Sequence, residues 1–147
     1  RPPVTLAKDL MEVVGLTTSK AKAVDKFRIS LEEQGIAQDR IDTRVERYAK
    51  AQLNVRAMNI ARTETLNASN GGQQESWTQA KEQGLITDAA RKRWLVTDDD
   101  RLDSEVCEPM DGQEVKITER FTTGDGRQVM HPTAHPRCRC SMVLVPG

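Results

Sequence analysis

The sequence predicts an α+β fold: an N-terminal helical arm with a long helix, then a small zinc-stapled unit of short antiparallel strands and loops. Three observations carry this reading. Apolar residues recur at helical spacing up to about residue 84, turn-rich alternating segments replace them after Trp94, and all three cysteines fall in the last third of the chain. The composition agrees. Of the 147 residues 37% are hydrophobic, 30% charged and only 3% aromatic, too few large rings for a sizeable β-core. The 22 Lys+Arg balance 22 Asp+Glu, so formal net charge is zero, which argues against a protein that coats DNA electrostatically. No stretch approaches the roughly 20 apolar residues of a membrane span, and no secretory leader pattern opens the chain. Membrane, collagen-like and disulfide-dense classes are excluded. Because the first residue is Arg1, we expect the natural start to lie upstream.

Element by element, Leu6 to Val14 reads as a short apolar-rich turn stopped by Gly15. Thr18 or Ser19 caps the next helix, which carries Ala21, Val24, Phe27 and Leu31 at three- and four-residue steps and ends at Gly35. Asp39 offers an N-cap for the long helix through Ile41, Val45, Tyr48, Val55, Ile60 and Leu66. The run Asn67 to Gly72 reads as a break, since Asn and Gly tolerate left-handed backbone. Another helix spans about Gln73 to Glu82 with Trp77 inward, and Thr87 caps a last short one before Trp94. Arg93 to Thr97, Gln113 to Ile117 and Met142 to Val145 are the expected strands, and Gly124-Asp125-Gly126 a hairpin turn. We expect a helical lead-in over 1–36 and a second domain over 37–147, helical to about 92, with strands and a Cys/His loop over 93–147.

The chemistry concentrates in His135-Pro-Arg-Cys138-Arg-Cys140 and the separate Cys107. An odd cysteine count does not suit a closed disulfide framework and fits synthesis in a reducing cytosol. Structural zinc takes four Cys/His ligands, and Cys107, His135, Cys138 and Cys140 supply them, with His131 as the competing nitrogen. Such an ion would convert metal binding into folding energy for a unit with little aromatic core. Three other readings stand beside it: a Cys/His nucleophilic pair, a disulfide from Cys107, and residues that never meet a metal. Arg62 and Glu64 lie two apart on the long helix and cannot pair with each other. They are candidates for ion pairs locking helix to loop, Arg62 with an aspartate such as Asp98. Arg137 and Arg139 flank Cys138 and are candidates for phosphate contact; without interleaved aromatics they make no single-strand platform.

The order Ile60-Ala-Arg62-Thr-Glu64, Trp77, Gly84, Trp94-Leu-Val-Thr97, Cys107, Asp111-Gly112-Gln113 and His135-Pro-Arg-Cys-Arg-Cys140 resembles the phage Mu F-like head morphogenesis family over about residues 16 to 146. Many members carry C-x-x-C ahead of Asp-Gly; here Ser104 holds the first position and Cys107 the second, leaving three cysteines plus His135. The resemblance implies a non-enzymatic minor head protein of a tailed phage or prophage, located in the virion and assembled in the host cytoplasm. Its implied partners are the portal protein and other capsid proteins, with non-specific DNA contact and no small-molecule substrate. The alternative is an enzyme, an Arg/Glu-based transferase or nuclease of the toxin type. The sequence has no Gly-rich phosphate loop and no H-E-x-x-H to support it.

Overall fold

The computed structural model describes residues 15–147. The expected turn over Leu6 to Val14 lies outside them. The chain forms two compact units, one ending at Ala61 and the other running from Arg62 to Gly147.

In the first unit, α1 (Thr18–Glu33) starts on Thr17, not on Thr18 or Ser19. The Thr17 hydroxyl accepts from the Lys20 backbone N–H at 3.3 Å, satisfying one of the free donors of the first turn. The helix ends as expected at Gly35, whose φ of +70° suits a residue without Cβ. There the Gly35 N–H donates to Glu32 O and the Ile36 N–H to Leu31 O, and Ile36 packs back beside Leu31. The long helix α2 (Gln38–Glu82) follows. Asp39 sits inside its first turn and does not precede it. Leu31, Ile41 and Val45 form the small core, joined by Val24, Phe27 and Ile36. Val55, assigned by periodicity to the apolar stripe, is 48% exposed.

No break interrupts α2 at Asn67 to Gly72, and the separate helix over Gln73 to Glu82 is its last three turns. Each Gly costs a helix interior about 1 kcal/mol against Ala, so something must offset these residues. Asn70 is buried and donates from Nδ2 to Leu66 O at 2.8 Å, staying within the helix where it could have opened a turn. Gly71 leaves room for the His131 ring: a Cβ there would stand 3.3 Å from Nε2. The glycine serves close approach, not a bend. The helix stops at Gly84, φ +72°, with the Leu85 N–H donating to Ala80 O.

The second unit carries a three-stranded antiparallel sheet in the order β2-β1-β5, with β1 (Arg91–Leu95), β2 (Glu114–Lys116) and β5 (Ser141–Val145). A separate hairpin joins β3 (Phe121–Thr122) to β4 (Gln128–Val129) through Gly124-Asp125-Gly126. The first strand begins two residues earlier than expected and ends at Leu95. The segment before it is turns, with the Ala90 N–H bonded to Thr87 O, so the helix expected from Thr87 does not form. Six residues between Gly84 and β1 are too few for a stable helix once Lys92 is drawn into the sheet.

Period-two alternation sends Lys92 and Trp94 inward, and Trp94 meets Phe121 edge to face at 5.1 Å. Lys92 is fully buried. Its Nζ donates to Gln74 Oε1 at 2.9 Å and to Met130 O at 2.7 Å, and lies 5.0 Å from the Phe121 ring centre. Gln74 in turn donates to Ile117 O at 2.7 Å, so a polar network ties α2, the sheet and the 130s loop. Burial, with the Arg120 charge adding to it and Glu119 opposing, holds the Lys92 ammonium down to about 8.

Between that value and the usual lysine value of about 10.4, the unfolded chain binds more protons than the folded one. Stability from this group therefore rises with pH across the window and carries the full burial cost below it. Relative to Lys92→Met, the native chain should gain melting temperature between about pH 8 and about pH 10. A pH-independent difference would mean that the ammonium is not desolvated.

Candidate metal centre

Cys107 is delivered by a tight turn that Asp103 organises. The Asp103 carboxylate accepts from the N–H groups of Glu105 and Val106 at 2.9 and 2.8 Å, and these bonds hold its carboxyl below the usual range. The Asp103 carbonyl accepts the Cys107 N–H at 3.1 Å. The loop beyond the β3–β4 hairpin brings the other candidate donors. Cys138 N–H donates to His135 O at 3.1 Å, closing a turn with Pro136 and Arg137 at its centre. Arg137 has φ +67°, the left-handed conformation a type II turn asks of its second central residue and normally gives to Gly. Its N–H is received by Thr63 Oγ1 of α2 at 2.9 Å.

Cys107 Sγ, a ring nitrogen of His135 and Cys138 Sγ lie within 4.8 Å of one another. His135 Nε2 is 3.1 Å from Cys107 Sγ. Its other nitrogen, Nδ1, is 2.8 Å from Pro136 O; with the proton assigned there, the Nε2 lone pair points at the sulfur, the orientation a metal-ligating imidazole takes. Cys140 lies outside that mutual set, yet its thiol is close enough to lower those of Cys138 and Cys107. All three cysteines are buried and free. The indole Nε1 of Trp94 is fully buried without an ordinary hydrogen-bond partner among the described residues, and its N–H acts on the Cys140 sulfur.

Protonation within the cluster is mutually frustrated. A hydrogen bond from the Cys140 thiol lowers Cys138 to about 5 against the effect of burial, while the same bond and burial push Cys140 strongly up. Burial also raises Cys107. Of the three neighbouring thiols, only Cys138 is shifted toward the thiolate. A divalent cation would hold all of them as thiolates, with the buried indole N–H of Trp94 near Cys140 favouring its charged form, so the donor set fits a metal. Of the two cysteines a nucleophilic Cys/His pair could use, Cys107 fits poorly, because burial makes its thiol less acidic, whereas Cys138 is shifted the other way.

The remaining expected site residues do not join this cluster. His131 is turned away onto Gly71 of α2, its Nδ1 2.6 Å from Pro132 O. Arg62, Glu64 and Asp98 are exposed, and none of them forms an ion pair among the described residues; solvated charges would have gained little from one. The aspartate that is engaged is Asp99, paired with Arg139 at 3.2 Å. Arg137 and Arg139 are both exposed, Arg139 with a surface ion pair to Asp99 and Arg137 with no ion pair among the described residues. Sequence reasoning overlooked Thr63, Trp94 and Gly124 as supports. Thr63 lies inside the Arg-Thr-Glu run, where its two charged neighbours drew attention first.

The family model described as Phage Mu protein F like protein matches residues 28–143. No curated protein and no solved structure matches the chain.

Gly124 seats the cysteine turn. Its N–H donates to Val106 O at 2.9 Å, and a Cβ at this position would fall 2.0 Å from Glu105 O. Gly124→Ala should therefore cost about 1–3 kcal/mol and displace Cys107 from its partners. Denaturant unfolding combined with thiol accessibility checks this; native stability with unchanged thiol protection would refute the close-packing account.

Proposed function

We propose that this chain, which belongs to the phage Mu protein F like family, is a minor head protein of a tailed phage or prophage. It joins the portal vertex during head assembly and assists genome packaging or delivery. The observation carrying this is the family match, which spans most of the chain and includes the segments holding Cys107 and His135 to Cys140. A head-morphogenesis role needs a surface that docks, not a cleft that turns over, and the cluster is compatible with that. Three sulfurs and one imidazole, from Cys107, Cys138, Cys140 and His135, would fill all four positions of a tetrahedral ion and leave none for water or substrate. Soft thiolates with one imidazole favour zinc among the common divalent ions. In this reading zinc is structural and fixes the last third of the chain as a rigid knob presented to the portal protein and other capsid proteins.

Arg137, exposed beside the cluster, offers a non-specific contact to genome phosphates in the same reading. Among the described residues no helix is long and apolar enough to cross a membrane. The toxin-type enzyme draws little from Arg62 and Glu64. Two residues apart on a helix, they point in directions about 160° from each other and do not converge on one cleft.

Co-purification with the portal protein of the same phage tests the assembly role. The intact chain should be retained by immobilised portal and be present in purified virions; absence from both would end this proposal. Elemental analysis should return one zinc per chain, lost in Cys138→Ser, and a chelator should unfold the Arg62–Gly147 unit. Metal-free protein that melts identically with and without chelator would sink the zinc assignment while leaving the portal test untouched.

A further inference from the structure

The sheet has two edges, and only one is guarded. On the β2 edge, Glu114 and Lys116 carry charge, and the outward Lys116 N–H is already taken by Glu119 Oε2 at 3.1 Å. On the β5 edge the strand Ser141-Met-Val-Leu-Val145 contains no charge and no proline. The direction of its backbone groups follows from β1. Trp94 N–H donates to Gln113 O and Trp94 O accepts from the Gly112 N–H, so even-numbered residues of β1 face β2. Arg91, Arg93 and Leu95 must therefore bond Val145, Val143 and Ser141, their register partners. The N–H and C=O of Met142 and Leu144 point out of the sheet, and no backbone partner meets them among the described residues.

These outward groups are centred on Val143, and that makes them self-complementary. In an antiparallel pairing about a twofold axis at Val143, Met142 faces Leu144 of a second copy as a hydrogen-bonded pair, and Leu144 faces its Met142. Every outward donor and acceptor of the strand is then used. Surrounding side chains match the same occupant. Val143 is 37% exposed and would meet its own copy across the axis. Leu85, 73% exposed, joins Ile86, Leu144 and Pro146 around an uncharged groove of about 190 Å³ beside the strand. With no ionised side chain lining the groove, an equally uncharged strand is the complementary partner. We infer that β5 is a homodimer interface, in which two copies of this chain join their sheets through antiparallel β5 strands centred on Val143. This goes beyond the head-protein reading and does not depend on it.

Charge exchange at the axis tests the geometry. The native chain should show a concentration-dependent monomer–dimer equilibrium by sedimentation. Val143→Glu and Val143→Lys, each placing like charges face to face, should both be monomers with native melting behaviour. Mixed in equal amounts, they should form a heterodimer. A native chain that stays monomeric from micromolar to millimolar concentration overturns the inference. So does either variant dimerising like the native chain, or an equimolar mixture that remains monomeric. If a Val143 variant melts early, Leu144→Pro is read in its place, since it deletes one outward N–H and spares the β1 ladder. Undiminished dimerisation by that variant counts against the inference equally.

Discussion

Cys107 and His135 approach to 3.1 Å although 28 residues separate them, and the local architecture of the Arg62–Gly147 unit is arranged to permit that approach. Neither side of the contact is locally comfortable. One comes from a turn that a glycine must accommodate at Gly124; the other comes from a turn that holds Arg137 in left-handed backbone. Burial of the thiols adds a further cost, pushing Cys107 and Cys140 up. Such unfavourable terms in one place make sense where a strong, specific bond-forming centre offsets them, and a metal ion is the centre that this donor set can hold.

The polar side of α2 explains how so small a unit stays ordered. Thr63, Asn67, Gly71 and Gln74 follow one another at three- or four-residue steps, so they lie along one face. Each receives a different part of the C-terminal chain: the Arg137 N–H, the Thr133 N–H at 3.4 Å, the His131 ring, and the Lys92 ammonium with Ile117 O. The helix is used as a polar seam where an apolar stripe would be the ordinary choice. The apolar core is modest, built on Trp94, Phe121, Met110 and Met142 together with the cysteines themselves. With so few aromatics, directional bonds must specify the loop positions that packing alone would leave loose.

The sequence was most legible where a residue's role follows from its neighbours in the chain. Thr18 to Gly35 announces a helix, though its cap is Thr17, Gly124 to Gly126 announces a hairpin, and the three cysteines with two nearby histidines announce donors capable of meeting a metal. It was least legible where a residue answers to something distant. Asn67 to Gly72 looks like a break because its intrinsic preferences oppose a helix, and only the seam reverses them. Lys92 looks like a surface charge until Gln74 and Met130 are placed beside it. Arg62 and Glu64 attract attention by their charge, yet it is the uncharged Thr63 between them that bonds the Cys/His loop, through the Arg137 N–H.

Local rules therefore determined the α+β class, the kinds of element present and which side chains were chemically capable of forming a centre, because those depend on backbone preference, periodicity and donor chemistry within a few residues. The tertiary structure decided that His135 and not His131 faces Cys107, that α2 continues through two glycines, and that β5 keeps an open edge. Each of these is settled by groups far apart in the chain that share one small volume. Their hydrogen-bond directions and steric clearances have no value until the fold brings them together.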